Sequence, residues 1–199
     1  MRGRTGAAAP TLAGALLTML ALAGCAGAGT GQVSQIEAAP GSAVPAAGAS
    51  AGTGGPSADA AQSASAQVLA AYTGMRQAQE AAEASGTTQG SGLEAYATGK
   101  AFIDITASVI QEASVGREMI GIPLLHPRVT ALDLNARPAT ATVTDCMDVS
   151  GWQSVDKATG KYVAVTSSSH NSFVSVSQAA LGPNGWQITE TEVNRSKPC

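Results

Sequence analysis

Few residues in this chain carry side chains able to do chemistry, and their scarcity is informative. Two histidines, His126 and His170, and three cysteines, Cys25, Cys146 and Cys199, are all that 199 residues offer of those types. General acid-base work near neutral pH recruits histidine, or a carboxylate whose pKa burial has raised, together with a second group that completes the constellation. His126 sits between Leu125 and Pro127 where a strand starts, and His170 follows Ser167-Ser168-Ser169; both contexts read as loop or surface. The one carboxylate that periodicity directs inward is Asp145. Along Ala139 to Asp148 the odd positions Ala139, Ala141 and Val143 face one side and the threonines at 140, 142 and 144 the other, so unbroken alternation turns Asp145 inward and Cys146 outward. No second group of matched pKa stands beside it in the sequence, so Asp145 reads as a structural anchor held by backbone amides or a nearby hydroxyl. The competing placement is past a bulge next to Cys146, bonded to a turn. The cysteines lack CxxC spacing, and with two histidines in the chain neither a metal site nor a cofactor is expected.

Cys25 belongs to a different chemistry. Arg2 and Arg4 form a short positive segment, and Leu12 through Leu22 form an apolar run of the length of a secretory signal and too short for a spanning helix. The run ends in Leu22-Ala23-Gly24-Cys25, which resembles the lipobox of bacterial lipoproteins; the resemblance implies cleavage before Cys25 and diacylation of its thiol. A plain signal with an incidental cysteine is the competing reading. Dual acylation suffices for stable anchoring, which places the protein on the extracytoplasmic face of a cell membrane. Assigning Cys25 to the lipid leaves Cys146 and Cys199 as a pair, expected to be oxidised outside the cytoplasm and to contribute about 4 kcal/mol at most. Loss of Arg2 and Arg4 takes the formal charge from -3 to -5, which argues against nucleic acid as a partner.

These residues need positioning, and the chain divides into a signal at 1–24, the acylated Cys25 with a tether to residue 56, and a domain at 57–199. The tether contains little but Ala, Gly, Ser, Thr, Pro, Val and Gln, with Glu37 its one charge, and is expected to be disordered, with an end-to-end reach of about 30 Å. Pro56-Ser57-Ala58-Asp59 predicts a capped helix start, and the Ala- and Gln-rich run that follows ends at Ser85-Gly86, with Val68, Tyr72, Met75 and Gln79 on a core stripe. A short turn at Leu93 to Thr98 precedes a helix from Lys100 to Val115, whose Phe102, Ile103, Ile105, Val109 and Ile110 form a wide apolar arc that must be covered. From Arg117 the period falls to 2, predicting strands at Arg128 to Leu134, Ala139 to Asp148, Lys161 to Thr166, Asn171 to Leu181 and Trp186 to Asn194. Asn135 to Pro138, Asp156 to Gly160 and Gly182-Pro183-Asn184-Gly185 supply the turns. Helices first and an antiparallel meander afterwards make an α+β domain with the helices packed on one face of a curved sheet.

Helices followed by a bent antiparallel sheet resemble the cone-shaped nuclear transport factor 2-like fold. Thr144-Asp145-Cys146-Met147-Asp148, Gly151-Trp152, Asp156 to Lys161, Gly185-Trp186 and the terminal Cys199 resemble a group of actinobacterial lipoproteins on that fold, over residues 58–199. The resemblance implies a concave pocket between sheet and helices and a Cys146 to Cys199 disulfide. It also implies that Asp145 beside Tyr72 or Tyr96 would match the aspartate base and tyrosine donor of the superfamily's steroid isomerases. Trp152 and Trp186, each after a glycine, read as packing on the sheet, with ligand stacking as the alternative.

The expectation is a non-enzymatic, lipid-anchored binding or accessory module of the bacterial cell envelope. Its partners would be the membrane, through lipid on Cys25, and an apolar small ligand or an envelope protein. An isomerase or dehydratase using a pocket carboxylate, and a structural accessory of an envelope complex, are the alternatives.

Overall fold

Helix α1 (Ala58–Ser85) begins where Ser57 can cap it: the Ser57 hydroxyl accepts from the Ala60 amide at 3.2 Å, and Asp59 lies in the first turn. It ends at Gly86, whose φ of 75° is the left-handed conformation that lets its amide return to the Ala82 carbonyl. The computed structural model describes residues 55–164 and 170–199; Cys25, the signal and nearly all of the tether lie outside them. After α1 come α2 (Leu93–Tyr96), α3 (Gly99–Ser114), β1 (Arg117–Gly121), β2 (Pro127–Asp133), β3 (Thr140–Asp148), β4 (Trp152–Asp156), β5 (Ser172–Gly182) and β6 (Gly185–Pro198). The architecture is α+β. Among the described residues, no helix is long and apolar enough to cross a membrane.

Strands β2, β3, β5 and β6 form one antiparallel sheet in that order, and β1 pairs with β4 in a separate two-stranded ribbon. The ribbon joins the main sheet through Leu124 and Asp148, which exchange both backbone bonds at 2.8 and 2.9 Å. Register shifts at Val129/Ala131, Phe173/Val174 and Gln178/Ala179 mark bulges, which bend the strands that carry them. Helix α1 lies over the inner face of the sheet, and α3 packs on β6 and β1. Val68, Tyr72, Met75, Leu93, Val109, Val143 and Ile188 are buried between these layers. Alanines at 64, 71, 78 and 82 keep the buried side of α1 narrow while favouring the helix.

Several expectations need correction. Neither β1 nor β4 is among the expected strands. The ribbon depends on two backbones meeting at glycine, because a side chain at Gly121, with φ 77°, would collide with the Gly151 carbonyl, and such glycines read as turn signals in sequence. Of the strand expected at Lys161 to Thr166, the described residues 161–164 carry one bridge, from Tyr162 to Val155, and Val165 and Thr166 lie outside the described residues. The apolar arc of α3 is covered in part. Ile105 and Val109 are buried, whereas Ile103 and Ile110 face outward at 64% and 61% exposure.

Candidate functional site

Positions 72, 76, 79 and 83 follow one another at spacings of four, three and four, which puts them on one face of α1, the face that meets the sheet. Their side chains join end to end. The Tyr72 hydroxyl donates to Asp145 Oδ2 at 2.8 Å and accepts from Arg76 Nε at 3.1 Å. The terminal nitrogens of Arg76 donate to Gln79 Oε1 and Ser175 Oγ, each at 3.0 Å, and Gln79 Nε2 donates to Glu83 Oε1 at 3.0 Å. The Arg76 guanidinium also lies 5.1 Å from the Tyr72 ring centre. Arg76, Gln79, Glu83, Asp145 and Ser175 are all buried.

The alternation along β3 holds through Asp145, which is 1% exposed on the sheet's inner side. Its second oxygen accepts from the His126 amide at 2.6 Å, while the His126 ring nitrogen Nδ1 meets the Cys146 carbonyl at 3.0 Å. Asp145 therefore holds the start of β2 against β3 and the sheet against α1, the anchoring arrangement expected from sequence rather than a placement past a bulge. Tyr72 belongs with it, and Tyr96 does not. The Tyr96 ring rests over Gly74, where an added Cβ would lie 2.5 Å from the ring, and it is 39% exposed. Small size at Gly74 makes that berth on α1, away from Asp145.

Burial pushes the Tyr72 phenol up to about 12; the Arg76 guanidinium pulls the other way and the Asp145 carboxylate adds to the rise. Burial likewise raises the Glu83 carboxyl, with the Gln79 amide opposing it and the charge of Glu112 reinforcing it.

Beyond Arg76 the interior opens into a cavity of about 940 Å³ between the second half of α1, α3, the β1–β4 ribbon and the inner edge of the sheet. Arg76, Glu83 and Glu112 face it, as do Met119, Met147, Val149 and Trp152. Asp145 is not on its wall. Trp152 is half-buried there and Trp186 is buried in the core, so the two tryptophans have separate roles. His126 and His170 are exposed, and only His170 reaches the cavity. Sequence reading missed Arg76 and Glu83, although their spacing from Tyr72 and Gln79 was the available signal. Among the described residues no group of three or more His, Cys, Asp or Glu side chains is placed to hold a metal ion.

Cys146 and Cys199 are bonded, with Cα atoms 5.8 Å apart. Phe173 pairs with Pro198 while Val174 pairs with Asn194, so residues 195–197 bulge out and the bridge fastens the chain beyond them. Arg195 on this bulge lies 4.7 Å from the Phe173 ring centre and lines the cavity.

No protein-family model matches the chain, and no curated protein matches it. Among solved structures, the intermembrane space region of the chloroplast protein ARC6 is similar at 14% identity and a TM-score of 0.42, covering 66% of this chain and 96% of that one.

Proposed function

We propose that this chain is a lipid-anchored, extracytoplasmic binding module of a bacterial cell envelope, non-enzymatic, with a nuclear transport factor 2-like cone as its domain. The observation that carries the binding reading is the cavity of about 940 Å³, walled by helices and sheet, in which an apolar patch of Met119, Met147, Val149 and Trp152 stands among a larger number of polar and charged side chains. Helices packed on an antiparallel sheet with three bulges support the cone. Arg2, Arg4, the apolar run and Leu22-Ala23-Gly24-Cys25 support export and acylation. The Cys146–Cys199 bridge supports an oxidising compartment. The non-enzymatic reading draws on Asp145: both its oxygens are occupied, it is 1% exposed, and it stands off the cavity wall.

The test is native mass spectrometry of the protein taken from membranes. The expected spectrum shows a diacyl mass on Cys25 that Cys25→Ser removes together with the membrane association, and a non-covalent mass that leaves on solvent extraction. Wild-type protein recovered from the soluble fraction without acyl mass would reject the anchor. Turnover of a small carbonyl compound that Asp145→Asn abolishes at unchanged folding would move the chain to the isomerase or dehydratase reading.

A further inference from the structure

Arg76 is a buried cation whose counter-charge is incomplete. It is 4% exposed, yet the ion pairs among the described residues are Lys100 with Asp104 and Lys157 with Glu118, and no carboxylate comes within pairing distance of Arg76. Asp145 reaches it through the Tyr72 hydroxyl and Glu83 through the Gln79 amide, and Glu80 acts on it at longer range, so its counter-charges are all indirect. A buried charge held by neutral acceptors alone carries a desolvation cost that an ionic partner would offset. The guanidinium has five N–H donors, and Tyr72, Gln79 and Ser175 take three of them. One N–H is left on each terminal nitrogen, and Arg76 lines the cavity. A donor on each of the two terminal nitrogens is what a carboxylate's two oxygens can use.

The rest of the wall restricts what that carboxylate can belong to. Met119, Met147, Val149 and Trp152 offer an apolar surface, with Ser108, Gln153, Ser154 and Asn171 among the polar groups beside it. Glu83 and Glu112 face the same cavity, and the Gln79 amide stands between the Glu83 carboxylate and the Arg76 guanidinium. A second anionic group at that end would meet like charge. Arg117, Arg195 and His170 also line the cavity; Arg117 is half-buried, and Arg195 and His170 are exposed, so water screens those two more than Arg76.

We propose that the cavity takes a monocarboxylate with an apolar body, its carboxylate paired with Arg76 and its body against Met119, Met147, Val149 and Trp152. The assignment rests on the binding reading above and names its ligand class. The test is calorimetric titration of the full chain carrying Cys25→Ser, so that no acyl group competes, with decanoate, decanamide and decanedioate as probes. Decanoate is expected to bind at least about tenfold tighter than decanamide, the size of a charge-assisted pair over a neutral one. Decanedioate should bind more weakly than decanoate. Arg76→Gln, checked for folding by circular dichroism, should bring decanoate to within about twofold of decanamide. Decanamide binding as tightly as decanoate would overturn the carboxylate assignment and leave the binding reading standing. Failure of all three probes to bind, with no change in Trp152 fluorescence, would overturn both. If Arg76→Gln does not fold, the comparison of probes on the unmutated cavity decides, and Arg76→Lys, which keeps the charge and loses the fork, should lessen the preference for decanoate.

Discussion

The two ends of helix α1 are buried under the same sheet, but they are built from different chemistry. Toward its start, Ala64, Val68 and Ala71 meet an interior that includes Leu93, Ala141, Val143, Ala179 and Ile188. Toward its end, Arg76 meets Ser175, Gln79 meets Glu83, and Tyr72 joins Arg76 to Asp145. The first end stabilises the fold by removing apolar surface from water, at roughly 1.5 to 3 kcal/mol for each large side chain. The second gives up hydration of charged and polar groups and recovers it through hydrogen bonds, which leaves a small net gain and a large loss when one partner is removed. Equal burial thus conceals unequal purpose: one end holds the domain together, and the other keeps polar atoms in fixed positions beside a cavity.

The largest expected loss lies at the apolar end. Leu93 is fully buried on α2, so Leu93→Ala should cost about 4 kcal/mol in urea unfolding through lost transfer energy and the space left behind. A loss below about 1 kcal/mol would mean that the site collapses and that this end is not the keystone. The polar end has a covalent clamp on its outer side, since Cys146 directly follows Asp145 and Cys199 fixes the last residues of β6. Cys146→Ala is expected to lower stability by about 3 kcal/mol and to free the bulge that carries Arg195. Faster amide exchange confined to the end of β6 would locate that release; uniform exchange would contradict it.

Asp145→Asn comes next, at about 2 kcal/mol. The carboxylate accepts from both Tyr72 and the His126 amide, and an amide can accept at one side only, turning a donor toward the other. The expected signature is destabilisation with faster exchange at the His126 amide. Stability equal to wild type would show that the network rearranges around a neutral group and that the polar end is not held at Asp145.

The contrast between the ends also explains what the sequence made legible. Ser57 and Gly86 bound α1 because capping chemistry is local, and the alternation from Ala139 carries Asp145 inward because a strand has period two. The Gly182 to Gly185 turn is local too, and it closes β5 onto β6. Arg76 and Glu83 were hidden by composition: charged residues on a helix are expected to face water, and only the spacing to Tyr72 and Gln79 shows otherwise. The Tyr96 berth needs Gly74, and the β1–β4 ribbon needs Gly121 against Gly151, which are contacts between distant segments with no local trace. The exposed Ile103 and Ile110 show the converse, since an apolar arc gives the width of a helix face but not how much of it a neighbour covers.

The smallest expected effect tests whether the polar end carries electrostatic strain, and it is a gain. Burial raises the Glu83 carboxyl above its ordinary 4.5; the Gln79 amide opposes that rise and Glu112 adds to it. The unfolded chain then releases this proton near 4.5 while the folded chain still holds it. Between those two values the folded state binds more protons, so stability falls as pH rises through the window and the penalty is complete above it. Glu83→Gln removes the titration and keeps an oxygen to accept from Gln79. The variant should match wild type near pH 4 and exceed it at pH 7, by less than any of the losses above. Glu80, raised in the same direction, and Asp148 and Asp156, lowered, titrate in both proteins and cancel in the difference. Urea unfolding at intervals from pH 4 to pH 8 measures it. A difference that stays constant with pH would mean that Glu83 titrates alike folded and unfolded, and the polar end would then be no more strained than the apolar one.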